Sequence, residues 1–266
     1  MSNIDLTNLL KVAQETAVSA GDLIQQKLSQ PRQTQAKGPR DLVTDADFAA
    51  QQLITQQIQQ AFPTHGFLPE ETNADLPTTG EIIWVIDPID GTTNYSRQIP
   101  IFCVSIAAAL PDSGPVVGVV YDPLRQDCFT GIKGEGAWLN GRSLHVSPIN
   151  QLDQAIIGLD WSHSRQMRQS TLDVIPKLAH NVYTVRAVGS AALALAWVAA
   201  GRLDGYLNYK LQPWDTAASN LIIAEAGGQL SHINGSDTPH WASKNQAIVA
   251  SNGRIHTELL PHLQPT

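Results

Sequence analysis

Charge is scarce along this chain, and cysteine scarcer still. Asp, Glu, Lys and Arg together make up 15% of the 266 residues, against 42% hydrophobic. That balance excludes a disordered chain and leaves enough apolar surface for one large core or two closely joined lobes. What charge there is leans acidic, 24 Asp and Glu against 17 Lys and Arg, for a net charge of −7. A phosphate backbone attracts basic surfaces, so no nucleic acid is expected as a partner. The two cysteines, Cys103 and Cys128, fall in or near predicted strands and read as small buried hydrophobes, which points to a reducing compartment. No long hydrophobic run is present: residues 191–200, the longest, reach about half the length of a bilayer span. The start, Met1-Ser2-Asn3-Ile4-Asp5, is polar where a signal peptide would be apolar. A soluble, cytoplasmic protein with no membrane partner is expected. Repeats, low-complexity runs, an H-E-x-x-H pair and a twelve-residue calcium loop are all missing, and most of the eight histidines read as surface residues.

The hydrophobic pattern supplies the elements. Leu6, Leu9, Leu10, Ala13, Ala17 and Ala20 share one helical face and predict a helix from Asp5 to about Leu28. Residues 30–40 are polar, hold Pro31, Gly38 and Pro39, and read as a loop. A second helix is predicted from Thr44 to Ala61, with Thr44 and Asp47 spaced as a capping box. Strands are predicted at 82–86, 102–109, 116–121 and 127–130, with a further short one between Gly134 and Asn140. Beyond a polar stretch at 147–154 the elements alternate: strands at 155–159, 182–188, 205–209 and 247–250, and helices at 165–179, 189–200, 215–226 and 255–263. Two lobes are expected, 1–147 and 148–266. Periodicity alone gives layered, mixed α and β.

The segment Trp84-Val85-Ile86-Asp87-Pro88-Ile89-Asp90-Gly91-Thr92-Thr93-Asn94-Tyr95 carries the chemistry. Two carboxylates lie three residues apart behind an apolar strand, with Pro88 fixing one φ between them and Gly91 allowing a close backbone approach. Oxygen ligands suit hard cations, and free N–H groups suit phosphate. Asp-Pro and Asp-Gly are also ordinary turn formers, so the segment by itself leaves both readings open. Glu70-Glu71 precedes it, Thr44-Asp45-Ala46-Asp47 opens the second helix, and Trp214-Asp215-Thr216-Ala217-Ala218 opens a late one. Singly, Asp215 reads as a helix cap, Asp47 as a first-turn acid and Glu70-Glu71 as solvated charge.

Taken in order, the acidic pair, Asp-Pro-Ile-Asp-Gly-Thr-Thr-Asn, Gly-Ser-Ala-Ala at 189–192, Trp-Asp-Thr-Ala-Ala and Glu-Ala-Gly-Gly at 225–228 resemble the inositol monophosphatase family, from about Val12 to Leu260. The resemblance implies a five-layer α-β-α-β-α sandwich of the inositol monophosphatase and fructose-1,6-bisphosphatase type. It implies two to three magnesium ions held by Glu70, Asp87, the carbonyl of Ile89, Asp90 and Asp215, and a phosphate monoester hydrolysed by water. Glu70 and Thr92 would stand beside that water, with Asp47 behind Thr92. Substrate would meet Gly91, Thr92, Asp90, Gly189, Ser190, Ala191, Asn208 and Asp215, and Lys37 would help attract phosphate. If Glu70, Asp87, Asp90 and Asp215 converge, each pair of charges about 5 Å apart repels by roughly 3 kcal/mol at an effective dielectric near 20, which only cations would offset. A homodimer and lithium sensitivity are further family expectations.

The family pattern bends at two positions. Inositol phosphatases usually have a glutamate seven residues before the Trp-Asp aspartate, where this chain has Asn208, and Pro69 stands where a glycine is common. Asparagine lacks the charge of that glutamate, so inositol 1-phosphate is expected to bind less well; on the resemblance it still leads as the expected substrate, with histidinol phosphate, 3′-phosphoadenosine 5′-phosphate or a sugar bisphosphate as alternatives. Trp161, His163 and Arg165 would offer a nucleotide cleft; Arg165, Arg168 and Arg186 read otherwise as ordinary helix and strand charges. A non-catalytic regulator of the same fold is the reading from another class.

Overall fold

The computed structural model describes residues 4–30, 34–38, 40–71, 75–237 and 240–264. Pro31 and Pro39, two marks of the expected loop, lie outside them. The chain opens with α1 (Leu6–Leu28), a ribbon of β1 (Thr34–Gly38) and β2 (Asp41–Thr44), and α2 (Asp45–Ala61). Next come β3 (Gly66–Pro69), β4 (Ile83–Asp90), the single-turn α3 (Thr92–Ser96), β5 (Cys103–Leu110), β6 (Gly114–Asp122), β7 (Asp127–Ile132), β8 (Gly136–Leu139) and β9 (Arg142–Ser143). The remainder holds β10 (Ile156–Leu159), α4 (Arg165–Asn181), β11 (Thr184–Ala187), α5 (Ala191–Ala199), β12 (Gly205–Leu211), α6 (Pro213–Glu225), β13 (Gln229–His232), β14 (Gln246–Ser251) and α7 (His256–Leu259).

Local chemistry sets the ends of the first two helices. Asp5 accepts the N–H of Asn8 at 3.0 Å and starts α1, whose Leu9, Ala13, Ala17, Ala20 and Ile24 form one buried stripe at helical spacing. Thr44 and Asp47 form the expected capping box at the head of α2.

Packing then builds five layers. α1 and α2 cover one face of a seven-stranded sheet in the order β3-β4-β5-β6-β7-β8-β9, with Ile24, Ile54 and Ile58 against Trp84, Ile86, Val104 and Ile106. Side chains alternate along a strand, so Val85, between Trp84 and Ile86, points the other way, into the middle layer of α5 and α6. There Val85, Val120 and Phe129 share a core with Leu193, Leu195, Ala218 and Ile222, and with Tyr206, Ile248 and Ala250 of a second sheet. That sheet has the order β11-β10-β12-β14-β13, and its outer face carries α4 and α7, packed through Val174, Leu178 and Leu259 on Ile157, Leu207 and Val249. The architecture is the α-β-α-β-α sandwich. One contact sets how closely the middle layer sits: a Cβ built on Gly118 of β6 would lie 2.6 Å from the Ala218 carbonyl oxygen of α6.

Several elements depart from the sequence reading. Much of the expected loop 30–40 is strand, paired in a ribbon from Thr34↔Thr44 to Gly38↔Asp41. Residues 34–37 are all exposed, so no apolar alternation marks them. The strands β3, β9 and β13 are not marked by the sequence either, each having at most four residues, too few to set a period. The expected helix 255–263 is one α-helical turn followed by a 3-10 turn at Leu260–Leu263.

Candidate metal centre

β4 brings the first two carboxylates together through a bulge. In a regular strand, residues three apart face opposite sides. Here Asp87 pairs with Ser105 and Asp90 with Cys103, so β4 holds one residue more than β5 across that interval. The extra residue allows both carboxylates to turn to one side, and Pro88, which has no N–H to give the ladder, sits within the irregularity. Asp87 Oδ1 accepts the N–H of Ile89 at 3.0 Å.

The third carboxylate comes from the middle layer. Asp215 lies in the first turn of α6, where its Oδ2 accepts the N–H of Gln212 at 2.7 Å. Oxygens of Asp87, Asp90 and Asp215 all fall within 4.8 Å of one another. Asp87 and Asp90 are buried and Asp215 partly so. Asp90 is held at the head of α5: Ser190 Oγ and the Ala192 N–H donate to its Oδ2, and the Ala191 N–H donates to Oδ1 at 3.1 Å. The buried thiol of Cys103 lies 3.7 Å from the same Oδ2.

Burial pushes the Asp87 carboxyl well above its ordinary range, and the charges of Glu70, Asp90 and Asp215 push it further. Burial and the charge of Asp90 do the same to Asp215. Asp90 is raised by burial against the pull of its hydrogen bonds. Two ionised carboxylates at this separation repel by about 3 kcal/mol at an effective dielectric near 20. Three hard oxygen donors whose ionised forms repel one another, yet which converge from two elements, fit a divalent cation such as magnesium.

Glu70 completes one side. Its N–H donates to the Ile86 carbonyl at 2.9 Å, which carries the β3 pairing one residue further and places its carboxyl in contact with Asp87. Gln51 of α2 fixes the acidic pair by accepting the Glu71 N–H at 2.9 Å and donating to the Glu71 carbonyl at 2.8 Å. Lys37 Nζ stands 2.8 Å from Glu70 Oε1 and 2.6 Å from Glu71 Oε1. Burial would lower the lysine pKa, but the two glutamates outweigh it and hold it above the ordinary value. The β1–β2 ribbon therefore sets a cation against the acidic pair.

Thr92 links the centre to α2. Its hydroxyl lies 3.2 Å from Asp47 Oδ1 and 3.1 Å from the Ile89 carbonyl. Asp47 is fully buried and its other oxygen takes the N–H and hydroxyl of Thr44. Burial drives its pKa up to about 6; the Thr44 bonds oppose this, and the charges of Glu70 and Glu71 add to it.

The expected substrate contacts are brought together in part. Gly91, at φ 98°, packs so closely on the turn before α5 that a Cβ there would lie 3.1 Å from the Gly189 carbonyl and 3.2 Å from Ser190 Cβ. Asn208 is buried, with its amide occupied at both ends: Oδ1 accepts the Lys210 N–H at 3.0 Å, and Nδ2 lies 3.4 Å from the Tyr206 hydroxyl. Trp161 and Arg168 stack on each other, and Arg168 Nε donates to the Ser162 carbonyl. Arg40 reaches the His163 carbonyl at 3.5 Å. Arg186 bonds locally, to Thr184 and Val185. The sequence reading missed Gln51, Asn94 and Asp160. Asn94 stands inside the quoted motif, whereas nothing in the pattern around Gln51 or Asp160 distinguishes either.

A profile of the inositol monophosphatase family matches residues 5–265. The chain is 38% identical over 259 residues to the Nus factor SuhB of Escherichia coli, covering 96% of each protein. It is 38% identical over 268 residues to inositol monophosphatase 1 of Solanum lycopersicum, covering 98% of this chain and 97% of that one. Among solved structures, the extragenic suppressor protein SuhB from Bartonella henselae superposes with a TM-score of 0.90 at 33% identity, over 96% of this chain and 98% of that one.

Proposed function

This chain belongs to the inositol monophosphatase family, and from that premise we propose that it is a magnesium-dependent phosphatase of small phosphate monoesters, inositol 1-phosphate first. The convergence of Asp87, Asp90 and Asp215 oxygens within 4.8 Å carries the reading. Those three side chains, with Glu70 and the Ile89 carbonyl, would hold the ions. Bound magnesium supplies charge stabilisation for a phosphoryl group and makes a nearby water more acidic.

The chain's own groups do the rest. Glu70, on the side of the centre facing Asp87, accepts a proton from the attacking water. Thr92 orients that water through a hydroxyl aligned by Asp47 and the Ile89 carbonyl. A pKa near 6 suits Asp47 to hold the far end of such a chain close to neutral pH. Gly91 and Thr92 stand at the first turn of α3, where backbone N–H groups have no helical acceptor and can meet phosphate oxygens. Ser190 and Ala191 border the alcohol side. The occupied amide of Asn208 offers a ring hydroxyl less than a free carboxylate would, which keeps histidinol phosphate, 3′-phosphoadenosine 5′-phosphate and sugar bisphosphates as alternative substrates. A cytoplasmic homodimer inhibited by lithium belongs to the same reading.

The test is phosphate release from these four kinds of substrate with and without magnesium. One substrate favoured by more than about a hundredfold in kcat/KM, some 2.7 kcal/mol, would name the natural alcohol. Uniformly slow, magnesium-dependent release would keep the chemistry and place the substrate outside the panel. The likeness to a Nus factor favours a second reading, a non-catalytic regulator, and no release from any substrate would establish it over the first.

A further inference from the structure

Asp160 takes no part in the reading above, yet it is only 8% exposed and has three donors aimed at it. It stands directly after β10. Its Oδ1 accepts the N–H of Val188 at 2.9 Å and that of Gly189 at 2.6 Å, and its Oδ2 accepts the Tyr206 hydroxyl at 2.9 Å. From the other side Asn94 Nδ2 donates to the Val188 carbonyl at 3.0 Å and to the Ile101 carbonyl at 2.8 Å. The Val188–Gly189 turn is thus gripped at both its N–H groups and its carbonyl. Little slack remains: Gly189 has φ 79°, and a Cβ there would lie 2.7 Å from Asn94 Nδ2. The next three residues, Ser190, Ala191 and Ala192, are those that hydrogen-bond Asp90.

We propose that Asp160 is a positioning residue for the metal centre: its carboxylate fixes the Val188–Gly189 turn, and the turn fixes Asp90 in the orientation that binds a divalent cation. The inference rests on the metal-binding reading given above. A ligand carboxylate held by outer partners needs no reordering when the ion arrives, and loss of such partners typically costs about 10- to 100-fold in metal affinity. Through Asp160 the second sheet thereby orients a ligand that the first sheet supplies.

Manganese binding to the full-length protein, followed by the EPR signal of free Mn²⁺, tests this without reference to turnover. Asp160→Ala is expected to weaken Mn²⁺ binding by about tenfold or more while circular dichroism shows a folded protein. Asp160→Asn keeps an oxygen for both N–H groups and is expected to stay within about threefold of wild type. If Asp160→Ala does not fold, Asp160→Ser replaces it, being too short to hold both N–H groups. A folded Ala or Ser variant with wild-type affinity would overturn the proposal, because a merely structural carboxylate alters stability and leaves the affinity of the folded protein alone. Equal losses in the Asn and Ala variants would overturn it too, assigning the effect to charge. Asp90→Asn is the control. If wild type binds no Mn²⁺, or Asp90→Asn binds as wild type does, the metal-binding reading fails and this inference with it. If only the Asp160 variants behave as wild type, this inference fails alone.

Discussion

Asp90 accepts hydrogen bonds from Ser190, Ala191 and Ala192 while facing two other carboxylates. Its replacement separates binding from folding. Asp90→Asn should lose at least about a hundredfold of magnesium-dependent phosphate release, some 2.7 kcal/mol. Its metal-free Tm should stay within about 3 °C of wild type, since removing a repelling charge offsets the weakened cap. Release at the wild-type rate would remove Asp90 from the centre. Lys37 makes the complementary case, because the structure sets it against Glu70 and Glu71. Lys37→Gln should lower the metal-free Tm by a few degrees and reduce half-saturating magnesium about threefold, because an ion no longer competes with a tethered ammonium. Calorimetric titration with magnesium checks it, and weaker binding in the variant would mean that Lys37 recruits rather than competes. The convergence of Asp87, Asp90 and Asp215 was expected from the order of short motifs that carries the family resemblance, which also singled out Asp47 and Glu70. Asp160 was not singled out: its meaning lies in two N–H groups 28 and 29 residues further along the chain.

Among elements, the long helices were readable from period and the inner strands from unbroken apolar runs. α1 shows the first in its stripe from Leu9 to Ile24; β4 shows the second, since Trp84, Val85 and Ile86 divide between two faces that are both buried. The β1–β2 ribbon had no such period, since residues 34–37 are all solvent-facing. The one-residue bulge that aligns Asp87 with Asp90 was equally hidden, because pairing register is not written in either strand alone. The position of α6, which carries Asp215, depends on Gly118, where a Cβ would lie 2.6 Å from the Ala218 carbonyl oxygen. Gly118→Ala should cost about 1–3 kcal/mol by overpacking, a fall in Tm of roughly 2–10 °C, and should also weaken magnesium binding as α6 moves outward. Thermal unfolding with and without magnesium reads both effects. A variant with normal Tm and normal binding would show that the middle layer is not held by this contact.

At the scale of the whole molecule, the acidic interior ties stability to pH. Burial raises Asp47 to about 6 and Asp160 to about 7, and raises Asp87, Asp90 and Asp215 as well. A carboxyl whose folded pKa lies above its unfolded value near 4 stabilises the fold fully below that value and loses the contribution as pH rises through the folded pKa. His65 and His256, both lowered chiefly by burial, act in the opposite sense, favouring the fold as pH rises through their unfolded value near 6.5. The five carboxyls outnumber them. In EDTA the protein should therefore lose Tm between pH 5 and pH 8, and the gain on adding magnesium should be largest at pH 8. Differential scanning fluorimetry across that range is the measurement, and a metal-free Tm rising steadily with pH would show that these carboxyls remain ionised in the fold.

The separation of the ligands along the chain has a consequence in time. Asp87 and Asp90 lie in the first sheet, the α5 turn that steadies Asp90 is encoded about 100 residues later, and Asp215 later still. At synthesis rates of about 5–20 residues per second, the acidic pair leaves the ribosome on the order of ten seconds before its third member. Throughout that interval the nascent chain carries half a binding site. The seven-stranded sheet is made well before the acidic cluster it contributes to is complete, and the docking of α6 is the step that brings the third carboxylate to the other two.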